Sequence, residues 1–487
     1  MQQAQEPDLT KIIVRYATSR GYRRVLGFVL AFLRPKLLGP DDFGLWTLLR
    51  LAPTYTNFAH FGTRDALRYQ IPYHKGRNEL QCVEAMEQTV FTFSFITNLV
   101  IAIGLLIAAF VLTPGSKASW GLAAMAVVTL LAWLYEHLLV VLKGHEAFSL
   151  VTRANYFYMT VVFLLTIPAL LLFKFYGLLL SVPLAYLITV IYMRLNCTIR
   201  LRFGFHRPLL RQLLRRGFPI MVLTFLIGII STLDRFLVSF LLGVEQTGYY
   251  GLAALVISFL MDTPGAAREV MEPRLMKAKD GMNSASVALR YIFDPLRNTA
   301  YLMPFLIGPV FLLMPSLVEF LLPRYQASIQ VTQVLTLGAF FFALTHPLRM
   351  VLVAHGWQVR AVPLALVAIV VNAAVSIAMV KAGFGVTGVA AGTVASFAAL
   401  FVLFYGFLAF KMGLLKIMPK GFWWRLVLPL PVMTGLLVVL ERSMMEVAWL
   451  GAVQRLAALA VYTLLMFGLF YWDKAHRQRV RALAASQ

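Results

Sequence analysis

Apolar runs of about twenty residues alternate with short polar, basic stretches along the whole chain, and each run is long enough to cross a bilayer as a helix. Fourteen spans are expected, near 12–36, 43–63, 88–112, 119–142, 155–174, 176–195, 217–241, 247–267, 298–322, 329–351, 360–380, 384–410, 423–440 and 448–471. The connections between them are short, so no separate soluble domain is expected. The pattern predicts an all-α polytopic membrane protein.

Composition supports this reading. Of 487 residues, 60% are hydrophobic and 13% charged, and the mean hydropathy is +0.77. A soluble surface needs far more charge. The N-terminal stretch is polar and basic before any apolar run, so no signal peptide is expected. Cys82 and Cys197 fall in segments assigned to the cytoplasmic side and are read as free thiols.

The formal net charge of +23 would suit a nucleic-acid partner, but its distribution argues otherwise. Thirty-one of the 44 Lys and Arg residues fall in the segments on the N-terminal side of the membrane. Seven fall on the other side: Arg34, Lys36, Lys117, Lys174, Arg324, Lys381 and Arg442. Such alternation is topogenic, places both termini in the cytoplasm and requires an even number of spans. No nucleic-acid partner is expected. The remaining six bases, Arg20, Arg23, Arg24, Arg50, Arg235 and Arg455, lie inside spans.

A short phrase is written twice. "LLGPDDFGLW" at Leu37–Trp46 and "LLGVEQTGYY" at Leu241–Tyr250 place Gly39 against Gly243 and Gly44 against Gly248, both at an offset of 204. Arg64-Asp65 recurs as Arg268-Glu269 at the same offset, and "VLKGH" (Val141–His145) is echoed by "VLVAH" (Val351–His355). In both phrases the first glycine is expected to end one helix in left-handed geometry, with an acid opening the next. Spans 1–6 and 7–12 therefore read as one six-helix unit in parallel repeat, the arrangement of carriers with a central site between halves. The expected division is 1–200, 201–412 and, for two extra spans with a tail, 413–487.

Four stretches carry a family resemblance: "PKLLGPDDFGLWTLL" (Pro35–Leu49), "STLDRFLVSFLLGVEQTGYYGLAALV" (Ser231–Val256), "PRYQASIQVTQVLTLGAFFFALTHPLRMVLVAHGWQVR" (Pro323–Arg360) and "LVAIVVNAAVSIAMVKAGFGVTGVAAGTVAS" (Leu366–Ser396). In this order they resemble the polysaccharide transporter branch of the multidrug/oligosaccharidyl-lipid/polysaccharide flippase superfamily, up to about residue 410. The resemblance implies two six-helix lobes around a cavity, two extra helices and lipid-linked oligosaccharides as cargo. The first span, "SRGYRRVLGF" (Ser19–Phe28), is more basic than is usual there, and "ERSMMEVAWLGAVQRL" (Glu441–Leu456) follows no pattern of the family.

Arg20, Arg23 and Arg24 share one helix face. A charge at the bilayer centre is costly unless it faces water or a partner. Span 2 carries Thr47, Arg50, Thr54 and Asn57 on one face. Arg20, Arg24 and Arg50 are expected to clamp a diphosphate, with Arg23 helping or facing the inner headgroups, because guanidinium binds phosphate oxygens bidentately and keeps its charge. Asp234 and Arg235 are grouped with the substrate-facing residues. Asp234 is expected to pair with an arginine of span 1, and Arg235 has outward snorkelling as its alternative. Asp234 and Asp262 are the candidates for Na+ or H+ coupling. Glu136, His137 and His346 read as capping or interface groups. No nucleotide-binding loop, metal-ligand spacing or paired carboxylates appear, so neither an enzyme nor a bound cofactor is expected.

The expected protein moves a polyprenyl-diphosphate-linked oligosaccharide across a bacterial inner membrane, with membrane lipids, glycosyltransferases and a polysaccharide polymerase as further partners. A drug or ion antiporter of the same superfamily and a non-transporting membrane subunit are the alternatives.

Overall fold

The computed structural model describes residues 9–111, 114–197, 199, 201–278, 284–419, 421–443 and 448–485. The described residues are overwhelmingly helical and contain no strand. In chain order the helices are α1 (Leu9–Leu49), α2 (Leu51–Thr56), α3 (Thr63–Gly76), α4 (Leu80–Val111), α5 (Lys117–Gly144), α6 (Phe148–Leu195), α7 (Arg207–Ile230), α8 (Leu233–Leu242) and α9 (Val244–Ala278). They continue as α10 (Ser284–Ala288), α11 (Asp294–Leu321), α12 (Ser328–Ala354), α13 (Gln358–Met379), α14 (Gly385–Met412), α15 (Leu414–Ile417), α16 (Phe422–Val427), α17 (Pro429–Arg442) and α18 (Ala448–Ala485).

Among the described residues, ten helical stretches are long and apolar enough to cross a membrane. The number is lower than fourteen because several stretches double back. Within α6, Lys174 leaves helical geometry, and a Cβ on Gly177 would lie 1.9 Å from the Ala169 carbonyl oxygen. Two residues eight apart on a straight helix are about 12 Å apart along its axis, so the chain has reversed there. Gln358–Met412 reverses in the same way: Ser396 donates to the Ala368 carbonyl at 2.9 Å, and Gly392 packs on Ser376. α1 reverses at Gly39, and its basic first leg keeps it out of the ten.

Contacts divide the chain into two compact units, Met1–Phe225 and Leu226–Gln487. The boundary falls inside α7, beyond the expected residue 200. The last two spans pack inside the second unit. Tyr462 of α18 is fully buried and donates to the Pro304 carbonyl of α11 at 2.9 Å. Arg455 donates to Ser316 at 3.3 Å. Of the "ERSMMEVAWLGAVQRL" stretch, residues 444–447 lie outside the described residues, and Arg455 is tied to α11 by the bond to Ser316.

The duplicated phrases have duplicated geometry. Gly39 has φ 79, ψ 170, and Gly243 has φ 95, ψ 176. This is not the expected left-handed cap but the mirror image of extended backbone, which is open in practice only to glycine. The second echo matches bond for bond. After α5, the N–H of Glu146 reaches the Lys143 carbonyl at 3.1 Å and that of Ala147 reaches Leu142 at 2.9 Å. After α12, Gly356 reaches Val353 at 3.0 Å and Trp357 reaches Leu352 at 2.9 Å. Glu146 and Gly356 both have positive φ, 62 and 69, which completes a Schellman stop in each unit.

In the first unit, three turns meet at one end, called here the hairpin end. Lys117 donates to Asp42 at 2.7 Å and lies 5.9 Å from the Phe175 ring centroid. The opposite end is tied by His145 to Glu87 at 2.6 Å.

Candidate functional site

The two legs of the α1 reversal build one wall of a cavity in the first unit. Arg34 on the first leg and Arg50 at the foot of the second line it together. They are sixteen residues apart, about 24 Å along an uninterrupted helix, so only the turn at Gly39 brings them to one space. Pro53 helps place Arg50. It has no N–H for the Leu49 carbonyl, and the helix is interrupted at Arg50 before resuming as α2.

The cavity encloses about 440 Å³. Besides the two arginines, Trp46, Thr54, Asn57, Glu136, Tyr158 and Tyr186 line it. Two donors in its wall have no acceptor: Arg34 Nε and the Trp46 indole N–H are both enclosed without a hydrogen-bond partner. Buried donors in that state cost free energy. Arg50 is exposed and makes its own interactions. Deeper in, Arg64 is buried and donates to the Asn57 side-chain oxygen at 2.7 Å and to its carbonyl at 3.4 Å. The Tyr158 and Tyr186 rings lie 5.0 Å apart, and Tyr135 stacks on Tyr158 at 5.1 Å.

The sequence-derived residues are distributed as follows. Arg50, Thr54 and Asn57 share the cavity wall as their spacing implied, while Thr47 turns back to the Phe43 carbonyl at 2.8 Å. Arg23 and Arg24 are exposed and outside this wall, and Arg23 donates to Asn155 at 3.3 Å. The side chain of Arg20 lies outside the described residues. Arg34, assigned from the sequence to an outer connection, instead lies in the wall. Glu136, read as a capping group, also lines the cavity. A charged residue five positions from a hairpin glycine gives no sign in sequence of which way the leg turns.

Asp234, expected to pair with a span 1 arginine, has its described hydrogen bonds within the second unit. Asp234 is 3% exposed, and its oxygens are taken within that unit. Tyr250 donates to it at 2.6 Å, Thr393 at 3.5 Å and the N–H of Arg235 at 2.8 Å. Asn372 donates to Thr393 at 3.5 Å, and Ser376 donates to the Asn372 oxygen at 3.3 Å. The result is a buried cluster rich in oxygen atoms on α8, α9, α13 and α14. Asn372, Ser376 and Thr393 were missed, although polar residues inside apolar spans are the sequence signal for such a cluster. Arg235 is half-buried, with its Nε enclosed and unpartnered. Asp262 is half-buried on α9 and makes interactions of its own. A second, smaller cavity of about 260 Å³ in this unit is lined by Arg268, Arg290, Asp294 and His346. Both cysteines are free, as expected.

Residues 34–324 match the family described as polysaccharide biosynthesis protein. No curated protein sequence matches the chain. Its fold is similar to that of a lipid II flippase, MurJ, in an inward closed conformation, with TM-score 0.68 and 14% identity over 95% of this chain and all of the other. It is also similar to an inward-facing multidrug resistance MATE family transporter of the MOP superfamily, with TM-score 0.63 and 13% identity over 84% of this chain and all of the other. At these identities the likeness is one of fold.

Proposed function

The chain belongs to the polysaccharide biosynthesis protein family, and from that premise we propose that it carries a polyprenyl-diphosphate-linked oligosaccharide across a bacterial inner membrane, from the cytoplasmic to the outer leaflet. The observation that carries the proposal is the donor-lined cavity of the first unit. Arg34, Arg50 and Trp46 line one space in a membrane protein, which puts two guanidinium groups in the wall of a single cavity. The diphosphate is the part of such a cargo most opposed to hydrocarbon, and it consists of acceptors alone. A basic cavity also opposes cationic drugs, which weighs against the drug-antiporter reading.

The test is transfer of a fluorescently labelled lipid-linked glycan between leaflets of vesicles holding the purified protein. Transfer well above protein-free vesicles is expected. Its absence would favour a non-transporting subunit.

Coupling to an ion is the second part of the proposal. Asp234 with Tyr250, Thr393, Asn372 and Ser376 presents oxygen donors to a proton or a sodium ion, and hard cations take oxygen ligands. Asp262 is the second candidate. Transport by Asp234→Asn is expected to lose its dependence on an imposed ion gradient. Full dependence in that variant, with loss in Asp262→Asn, would move the coupling site to α9.

A further inference from the structure

The cavity of the first unit is not uniform along its length. Arg34 lies five residues from the Gly39 turn, Arg50 eleven, and Tyr186 twelve from the Lys174 turn. Glu136 lies nineteen residues from Lys117, where α5 begins. At 1.5 Å per residue these depths are about 8, 17, 18 and 29 Å from the hairpin end. Arg34 and Trp46 therefore line one end of the space. The carboxylate of Glu136 sits at the other, and the Tyr158–Tyr186 pair lies between. Arg64 fixes the Asn57 side chain through its oxygen at 2.7 Å, which leaves the amide's own donors free of that bond.

The two ends require different ligand chemistry. The guanidinium groups of Arg34 and Arg50 suit the oxygens of a phosphate. A phosphate against Glu136 would meet like charge, which favours the end with Arg34 and Arg50 for it. A carboxylate accepts hydrogen bonds from two neighbouring hydroxyls, and an aromatic face covers the C–H face of a pyranose ring. We infer that this cavity binds a glycosyl phosphate in one direction only, with phosphate toward the Gly39 turn, the first sugar against Tyr158 and Tyr186, and sugar hydroxyls donating to Glu136. Glu136 is thus the residue that distinguishes a glycosylated lipid from the bare lipid diphosphate. The inference rests on the transport reading above and assigns a sugar subsite within it.

The experiment uses the full chain in nanodiscs and two probes, undecaprenyl diphosphate and the same lipid bearing one hexose. The wild type is expected to bind the glycosylated probe more tightly. Glu136→Gln is expected to lose about tenfold of that preference, the value of one or two hydrogen bonds to a charged acceptor. Tyr186→Ala, on a different helix, is expected to reduce the preference in the same direction, and Arg50→Ala to weaken both probes alike. An unchanged preference in both Glu136→Gln and Tyr186→Ala overturns the sugar subsite while leaving transport intact. Equal loss of both probes in Glu136→Gln overturns it too. A wild type that binds neither probe removes the transport reading and this subsite together.

Discussion

Replacing Arg50 by alanine is expected to reduce transfer of a lipid-linked glycan at least about 100-fold, because two charge-assisted hydrogen bonds together are worth roughly 3 kcal/mol or more. Arg50 is the one basic residue that both the sequence pattern and the cavity geometry select. Arg50→Lys should restore part of the rate, since it keeps the charge and loses the planar fork. Arg34→Ala should match Arg50→Ala, because both guanidinium side chains line the same cavity. Arg24 is exposed and lies outside that wall, so its alanine variant should lose less. The measurement is the initial rate of leaflet transfer in vesicles at matched protein content. A rate for the Arg34→Ala, Arg50→Ala double variant equal to wild type would exclude the clamp.

Gly217→Ala is expected to destabilise the first unit by about 3 kcal/mol or more, at the upper end of what overpacking does. A Cβ at Gly217 would lie 1.9 Å from the Gly62 carbonyl oxygen, and one at Gly62 would lie 2.3 Å from the Gly217 carbonyl carbon. Both contacts are backbone, so no side chain can swing aside. Gly104 in α4 provides the control: a Cβ there meets nothing within 4 Å, and alanine favours the helix by about 1 kcal/mol. Thermal unfolding in detergent should fall sharply for Gly217→Ala and hold or rise for Gly104→Ala. Parallel behaviour of the two would show that the contact between 62 and 217 is not held in solution.

The features legible in the sequence were those written as periods and punctuation. Span positions followed from apolar run length, and the repeat followed from Gly39 and Gly243, whose torsions prove nearly identical. The stripe Arg50, Thr54, Asn57 was visible because helical spacing puts those residues on one face, and the cavity receives all three. What the sequence left undecided depends on rotation about a helix axis and on partners distant in the chain. Arg34 reads like any basic residue beside a turn, until the reversal at Gly39 aims its leg inward. Glu136 sits in an apolar span on which only packing against α1 and α6 decides that it faces a cavity. Asp234 was identified as important, but its partners are 16 and 159 residues away, and no local spacing announces Tyr250 or Thr393. The division between units by contacts is likewise not announced by local spacing. Basic loops mark where the chain leaves the membrane, whereas contacts follow α7 well into the span before they change allegiance.

The torsions at Gly39 and Gly243 bear on chirality as well as on fold. A φ of 79 with ψ 170 is, by reflection, an ordinary extended conformation for a residue of the opposite hand. At Gly243 a Cβ built in the natural configuration meets no atom within 4 Å, so space is not the obstacle. Handedness is. In a semisynthetic chain, D-alanine would adopt this turn with less backbone freedom to lose than glycine, whereas L-alanine would have to be forced into it. Among the twenty encoded residues the position thus belongs to the one that is achiral, and the same condition has been written into both copies of the repeat.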